Sequence, residues 1–336
     1  MCRHLAYLGP PTTLSDLILT PPHSLYEQSW TPTDMRHGGT LNADGYGLGW
    51  YTEDPPTADD LPAYTAAAPH DLASTGPAVG NHGAAGGAVV GDRGAGGGAA
   101  AGDESASAGA VAGDHQTSAA VHQGAAAAPS SVSHETRRRR PVRYRRNVPI
   151  WADQNLAELA GSIRAGGVLA AVRNGTMGMP YGEGAVAPFR SGEWLFSHNG
   201  RVPGWPESVV KLAEQLPAAD LLGLDAPVDS AFIFALIRHR MGARDDHEAA
   251  VAAVTSVVRD VEATAPGSRL NFLLTNGTHL IATTWTHSLH VRRTHNSITL
   301  ASEPFGEEPG WSEVPDRMLL VATATTLQLT PMEGSA

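Results

Sequence analysis

A single cysteine, Cys2, stands directly behind the initiator methionine and is the only thiol in the 336 residues. It cannot form a disulfide within one chain, and no neighbouring histidine pair suggests a structural metal site. Two interpretations stay open. Either Cys2 is a free thiol at a tolerant chain end, or Met1 is removed and Cys2 becomes a nucleophile with its own α-amine as base. A cysteine thiol has a pKa of about 8.5 and an α-amine about 7.7–8.0, so both change protonation near neutral pH.

A nucleophilic cysteine needs donors for an oxyanion, and the stretch FSHNGRV offers two. Asn199 supplies a side-chain N–H, and Gly200 supplies a backbone N–H that a substrate can approach without a Cβ in the way. An ordinary Asn-Gly turn after the strand EWLFSH is the alternative. The dipeptide is therefore a candidate oxyanion hole at the end of a strand.

Three further residues could hold an amino-acid substrate. Arg173 ends the strand VLAAVR and could bind a carboxylate through two hydrogen bonds, and Thr176 follows it in the same loop. Asp229 directly precedes the predicted helix SAFIFALIRHRM. A surface position would also explain Arg173, and N-capping alone would explain Asp229. Together with Cys2, these residues favour a catalytic site.

Composition excludes several classes of function. The net charge of −11 argues against a general nucleic-acid binder, and no apolar run is long enough to cross a membrane. The N-terminus lacks the apolar region of a secretory signal, so a cytoplasmic location is expected. The histidines show no metal-ligand spacing, and neither a metal nor a cofactor is predicted.

Residues 55–147 differ from the rest of the chain. They are rich in Gly, Ala and Ser and end in RRRRPVRYRR. Such a composition cannot bury enough apolar surface to offset the cost of ordering, so we predict a disordered insertion. The arginine cluster could attract an anionic partner, although a solvated flank is favoured. The predicted catalytic domain consists of 1–54 and 148–330.

The flanking blocks contain helices grouped between two sets of strands, which predicts an α+β layered fold. The two halves of the chain are expected to contribute separate sheets. Valines at helical spacing predict a long helix around 254–261, and Asn276-Gly277 predicts a two-residue hairpin turn between LNFLLT and HLIATTW.

The motifs occur in the order seen in class II glutamine amidotransferases, which are N-terminal nucleophile hydrolases. The chain resembles that family in MC at its start, NADGYGLGWY, VRNGTMG, FSHNGRV and VDSAFIFAL. Within the family, LYEQSW, GEGAVAPF and ASEPF…W…VPDR are similar to the stand-alone γ-glutamyl hydrolases of ergothioneine biosynthesis. The similarity covers nearly all of 1–54 and 148–325. It implies a four-layer αββα sandwich.

The resemblance also assigns roles to the residues above. It implies that Cys2 is the nucleophile with its α-amine as base, and that Asn199 and the backbone N–H of Gly200 stabilise the oxyanion. Its binding residues match a zwitterionic glutamyl group: a cation for the α-carboxylate, a hydroxyl beside it and a carboxylate for the α-ammonium. These are Arg173, Thr176 and Asp229, respectively.

The implied reaction is hydrolysis of a γ-glutamyl amide through a Cys2 thioester, with γ-glutamyl-cysteinyl-hercynine sulfoxide as the expected small-molecule substrate. Other enzymes of the same pathway are candidate partners. The alternatives are a glutaminase subunit that supplies ammonia to a separate synthetase, and a non-catalytic binding protein. No P-loop motif is present, which favours the hydrolase. The chain departs from the amidotransferase pattern at Arg3, at Asn174 and around Ala187–Phe189, so slow turnover of free glutamine is expected.

Overall fold

The computed structural model describes residues 2–34, 41–53, 139–176, 178–306 and 309–332. The chain divides into two units, Met1–Pro55 with Thr136–Ala336, and Pro56–Glu135. The second unit lies outside the described residues, and with it lies most of the predicted insertion. The fold below is that of the first unit.

Two β-sheets form the centre of this unit. The strands are β1 Arg3–Thr13, β2 Tyr46–Glu53, β3 Arg139–Arg146, β4 Arg164–Val172, β5 Phe189–Ser191, β6 Trp194–Arg201, β7 Arg269–Thr275, β8 Leu280–Thr284, β9 His290–Arg293, β10 Ile298–Ala301, β11 Trp311–Glu313, β12 Met318–Ala322 and β13 Leu327–Pro331. The first sheet has seven strands in the order β11-β9-β10-β1-β4-β2-β3, and the second has six in the order β13-β12-β8-β7-β6-β5. Neighbouring strands are antiparallel throughout.

Helices cover the outer face of each sheet. The helices are α1 Leu14–Ile18, α2 Leu25–Gln28, α3 Leu156–Ser162, α4 Val210–Ala213, α5 Ala218–Leu222, α6 Asp229–Met241 and α7 His247–Thr264. The first three pack on the seven-stranded sheet, and α4 to α7 pack on the six-stranded sheet. No helix among the described residues is both long enough and apolar enough to span a membrane.

Alternating side chains explain how a single strand serves two layers. Along β1, Leu5 and Tyr7 pack toward the helices, whereas Ala6 and Leu8 pack against the second sheet. Since successive side chains of a strand point to opposite faces, this pattern gives β1 two buried faces. The result is the four-layer αββα sandwich that was predicted.

The long helix is also confirmed. Its valines at helical spacing are fully buried against the second sheet and α6, as the period predicts: Val254, Val257, Val258 and Val261. Asp246 caps the helix, its side chain accepting the Ala249 backbone N–H at 2.7 Å.

The predicted insertion extends too far toward the C-terminal block. Residues 139–146 form β3, an edge strand that pairs with β2 along its whole length. Arg143 and Arg145 in this strand are not part of a solvated flank, because they bind the same Asp225 carboxylate at 2.7 and 3.0 Å. The described part of the C-terminal block therefore begins at 139, ahead of the predicted boundary at 148. Residues 55–138 lie outside the described residues.

One prediction about strand connections is wrong, and the predicted hairpin between β7 and β8 is confirmed with its turn one residue further along. The halves of the chain do not form separate sheets, since β4, β9, β10 and β11 join β1 and β2 in the first sheet. The turn between β7 and β8 is centred on Gly277 and Thr278, because the Asn276 N–H donates to the His279 carbonyl at 3.3 Å. Gly277 has a φ of +81°, which suits a residue without a Cβ.

Candidate active site

Cys2 lies directly before β1, and β1 is the strand between β10 and β4 in the first sheet. Arg3 pairs with Val172 at the end of β4, and this register places Cys2 beside the loop that follows β4. The Cys2 Sγ is 3.7 Å from the Asn174 carbonyl oxygen, and the residue is only partly buried. The thiol is thus held at the surface end of the sheet rather than in a core.

Arg173 lies in that same loop and is 8% exposed. Its backbone N–H donates to the Gly45 carbonyl at 2.8 Å, and its carbonyl accepts from the Asp44 N–H at 3.0 Å. In the guanidinium, Nη2 donates to the Pro180 carbonyl at 3.0 Å, while the buried Nη1 has no hydrogen-bond partner among the described residues. A buried donor without a partner is costly, so Nη1 is available for an anion.

The loop after Arg173 continues to a cavity of about 510 Å³. The Asp44 carboxylate holds this loop by accepting the Gly175 N–H at 2.7 Å. Thr176 is exposed and lines the cavity together with Arg201 and Trp205. Residues from the ends of both sheets therefore meet at one opening.

Asn199 and Gly200 lie inside β6 and not in a turn, opposite Asn271 and Leu270 of β7. The alternative of an Asn-Gly turn is therefore wrong. The Asn199 Nδ2 donates to the Ser302 Oγ at 3.2 Å, and its Oδ1 is buried without a partner among the described residues. An amide nitrogen carries two hydrogens, so a second N–H of Asn199 remains for a substrate.

The backbone at Gly200 leaves no room for a side chain. A Cβ there would lie 1.8 Å from the Arg269 carbonyl oxygen and 2.5 Å from the His198 Nε2. Only glycine permits β6 and β7 to approach this closely at the site.

Asp229 is the first residue of α6, and Val228 occupies the N-cap position. N-capping therefore does not explain this carboxylate. Its Oδ2 accepts the backbone N–H of Val202 at 3.1 Å, and its Oδ1 accepts the N–H of Ser230 at 2.8 Å. The carboxylate is 7% exposed and is tied to the end of β6, just beyond Gly200.

Sequence analysis missed two buried histidines beside these residues. His4 contacts the Ser197 Oγ through Nδ1 at 3.1 Å, and burial, with the charges of His198 and Arg3, lowers its pKa to about 3. His198 donates from Nε2 to the Arg269 carbonyl at 2.7 Å, and its Nδ1 lies 3.1 Å from the Ser230 Oγ, which is also 3.2 Å from the Asp229 Oδ1. Burial also lowers the pKa of His198. Both rings are neutral at physiological pH and act as fixed supports for β1 and β6.

Two arginines at the facing ends of β6 and β7 were also missed. Arg201 and Arg269 face each other across β6 and β7. Burial and the charge of Arg201 lower the pKa of Arg269, while the charge of Cys2 raises it. Arg201 follows the quoted Asn-Gly pair in FSHNGRV, but nothing in the sequence reveals its register with Arg269, because four helices lie between the strands.

No set of three His, Cys, Asp or Glu side chains in the described part of the chain is arranged to hold a metal ion. The site therefore consists of a partly buried thiol, amide and backbone donors, a buried carboxylate and several arginines. Such a set suits attack on a polarised carbonyl and recognition of a charged substrate.

Comparisons with known proteins agree with this chemistry. The sequence profile of the class-II glutamine amidotransferases matches residues 139–328. A protein of Mycolicibacterium smegmatis named gamma-glutamyl-hercynylcysteine sulfoxide hydrolase is 30% identical over 99% of this chain and 100% of its own length. A protein of the same name from Mycobacterium tuberculosis is 29% identical over 99% of this chain and 97% of its own length.

The fold also has a counterpart among solved structures. A glutamine aminotransferase class-II domain protein from Silicibacter pomeroyi superposes with a TM-score of 0.53 at 18% identity, covering 98% of this chain and 99% of that one. The likeness confirms the sandwich fold.

Proposed function

Since the chain belongs to the class-II glutamine amidotransferases, we propose that it hydrolyses a γ-glutamyl amide and releases glutamate, with γ-glutamyl-cysteinyl-hercynine sulfoxide as its substrate. The substrate rests on the full-length relatives that carry the corresponding name. The structural observation that carries the reaction is the position of the thiol. Cys2 Sγ contacts the loop of Arg173, whose buried Nη1 lacks a partner among the described residues.

In the proposed mechanism Met1 is removed and the new α-amine takes the proton of the Cys2 thiol, directly or through water. The Sγ attacks the γ-carbonyl carbon, and the carbonyl oxygen becomes an oxyanion. Collapse of this adduct breaks the C–N bond, and the amine leaves with the proton held by the α-amine. Water then attacks the thioester, which yields glutamate and regenerates the thiol.

Asn199 and Gly200 are the proposed oxyanion donors. The bond to Ser302 Oγ at 3.2 Å fixes the Asn199 amide and leaves one N–H unused. A donor that is already oriented costs no reorganisation when charge develops in the transition state. The buried position of Asn199, 2% exposed, strengthens this effect, because water screens it little.

The glutamyl group is a zwitterion, and the proposed clamp has the matching charges. Arg173 binds the α-carboxylate, with Thr176 beside it, and Asp229 pairs with the α-ammonium. Arg173 and Asp229 are both more than nine-tenths buried, so water would compete little for their bonds to the substrate carboxylate and ammonium. The proposed partner is therefore a small molecule with a free α-amine and a free α-carboxylate.

The family itself favours one other candidate, a glutaminase that delivers ammonia to a separate synthetase. That candidate requires efficient attack on free glutamine. A direct comparison separates the two: purified enzyme is assayed for glutamate release from glutamine and from the γ-glutamyl sulfoxide. Faster turnover of the sulfoxide supports the proposal. Efficient glutaminase activity that rises with an added synthetase would select ammonia delivery.

The nucleophile is tested on the same substrates. Intact-mass measurement should show loss of Met1, and Cys2→Ala should abolish glutamate release. An uncleaved tag in front of Cys2 should be equally damaging, because it converts the amine base into an amide. A tag at the C-terminus is the matched control and should leave turnover intact. Full activity of the N-terminally extended protein would contradict this mechanism.

A further inference from the structure

Arg201 and Arg269 form a like-charged pair beside the candidate nucleophile. They are directly opposite each other in β6 and β7. Like charges at facing positions of an antiparallel pair destabilise a sheet unless something else holds them there. No carboxylate of the described residues forms a salt bridge with either guanidinium, in contrast to Arg143 and Arg145, which share Asp225.

The Arg269 guanidinium is incompletely satisfied. The Arg269 Nε is buried and has no hydrogen-bond partner within the described ranges. Burial and the Arg201 charge lower the pKa of Arg269, and the charge of Cys2 raises it. The Arg269 guanidinium therefore interacts electrostatically with both Arg201 and Cys2. An incoming anion would supply the missing partner of Arg269 and would also neutralise the repulsion between Arg269 and the exposed Arg201.

Their position connects this pair to the reaction. The Arg269 carbonyl accepts from His198 at 2.7 Å, next to Asn199 in the sequence, and Gly200 packs against the same carbonyl. Arg201 lines the cavity of about 510 Å³ that Thr176 and Trp205 also line. The pair is thus adjacent to the proposed oxyanion donors, whereas Arg173 lies in the loop after β4, on the other side of the cavity lining.

We propose that Arg201 and Arg269 form an anion subsite that binds a carboxylate on the amine side of the scissile bond. This inference rests on the proposed function. In a γ-glutamyl-cysteinyl substrate, the scissile nitrogen belongs to an amino acid whose own α-carboxylate is two bonds away. The leaving group of free glutamine is ammonia, which has no such anion. The subsite therefore selects γ-glutamyl conjugates of amino acids over glutamine.

Two synthetic substrates isolate this carboxylate. γ-Glutamyl-alanine carries it, and γ-glutamyl-ethylamide lacks it while keeping the same glutamyl head and an alkyl amine. The wild-type enzyme should prefer γ-glutamyl-alanine in kcat/KM. Arg269→Gln and Arg201→Gln should each reduce that preference by about tenfold or more, the size expected for loss of a charge-assisted hydrogen bond. Arg201→Lys, which keeps the charge, should retain part of it.

The ratio between the two substrates separates binding from other roles. If the arginines acted only on the Cys2 thiol or on folding, both substrates would lose the same factor, and the subsite would be refuted. Arg293→Gln is the matched control, because Arg293 is exposed in β9 of the other sheet. It should leave the preference at the wild-type value. Arg201 is exposed, so its variants remain informative should Arg269→Gln fail to fold.

A binding measurement keeps this test independent of turnover. Cys2→Ala protein should bind γ-glutamyl-alanine more tightly than the ethylamide in calorimetry, and adding Arg269→Gln or Arg201→Gln should remove the difference. If the wild-type protein hydrolyses neither these compounds nor the γ-glutamyl sulfoxide but this binding preference exists, the proposed function fails and the subsite stands. Equal affinity for both compounds in Cys2→Ala protein would overturn the subsite whatever the activity.

Discussion

Arg3 donates from Nε to Glu303 Oε1 over 2.6 Å, and the two side chains are 3% and 1% exposed. The pair joins the residue after Cys2 to a residue that follows β10. The Arg3 Nη1 also donates to the Cys2 carbonyl at 3.0 Å. Glu303 further accepts from the His23 Nε2 at 2.7 Å and the Thr33 N–H at 2.8 Å. One buried carboxylate thus fixes the backbone beside the nucleophile and the segment around Thr33.

Replacing Glu303 with Gln should lower the free energy of unfolding at neutral pH by about 3–5 kcal/mol, because Arg3 would stay buried without its counter-charge. Urea unfolding followed by circular dichroism measures this difference. The same variant should lower kcat if the ion pair positions Cys2. Unchanged stability would show that water or another group compensates Arg3.

The stability that Glu303 provides should depend on pH. Burial alone would raise the pKa of Glu303, but the bond from His23, the charge of Arg3 and the donors of Thr33 hold it well below its usual range. A depressed pKa stabilises the fold above the unfolded value of about 4.3, and that stability is lost as the pH falls from there toward the folded value.

Unfolding free energies measured from about pH 6 down to pH 3 should therefore fall more steeply for wild type than for Glu303→Gln. Glu158→Gln, on the exposed side of α3, is the control and should keep the wild-type slope. Identical slopes for wild type and Glu303→Gln would contradict this assignment.

Substitution of Asn199 should slow the chemical step. Asn199→Ala should lower kcat by about 10²–10³ with little change in KM, because the donor acts mainly on the transition state. Ser302→Ala should lower kcat less, since it removes only the acceptor that orients the amide at 3.2 Å. Ser312→Ala, at an exposed position of β11, serves as control. A change confined to KM would move Asn199 to ground-state binding.

Features that depend on local sequence patterns could be predicted, whereas the pairing of residues far apart in the chain could not. The valine period revealed α7, and the short motifs located Cys2, Arg173, Asn199 and Asp229, because these signals lie within a few residues of each other. The arginine-rich segment of β3 carries no alternating apolar pattern, so its composition placed it in the insertion although it pairs with β2. Arg3 and Glu303 are 300 positions apart, so no local pattern could join them.

The glutamyl clamp predicts a strict dependence on charge. Asp229→Asn should lower kcat/KM, with a rise of about 3–5 kcal/mol in the corresponding activation free energy, because the substrate ammonium would be buried without a counter-charge. Arg173→Lys should also be poorly tolerated, since a point charge cannot reproduce a two-pronged carboxylate contact. Steady-state kinetics on the γ-glutamyl substrate measure both effects. Asp220→Asn, exposed on α5, is the control.

The clamp should also reject substrates that lack one of its two ions. A substrate analogue without the α-amine should gain nothing from Asp229, so wild type and Asp229→Asn should hydrolyse it at similar, low rates. The same comparison with an analogue lacking the α-carboxylate tests Arg173. If Asp229→Asn impaired both analogues as much as the full substrate, Asp229 would have a structural role only.

The composition of residues 55–138 still predicts an insertion that the catalytic domain does not require. The pairing of β2 with β3 shows where this insertion can be deleted. Glu53 and Arg139 are facing partners at the ends of β2 and β3. A short Asn-Gly turn can therefore replace residues 54–138 and close a hairpin. This variant should keep kcat/KM within about threefold, because long loops cost little to close and such segments pack poorly.

A deletion that extends through residue 145 should behave differently. It removes most of β3, including Tyr144, whose hydroxyl donates to the Asp153 carboxylate at 2.8 Å and whose ring packs near Tyr46. It also exposes the edge of β2, which raises the risk of aggregation. Thermal unfolding and glutamate release of both deletion variants should separate the two boundaries, with only the shorter deletion close to wild type. If the shorter deletion failed to fold while refolding controls succeeded, residues 54–138 would contribute to the catalytic unit, and the insertion would be part of the domain.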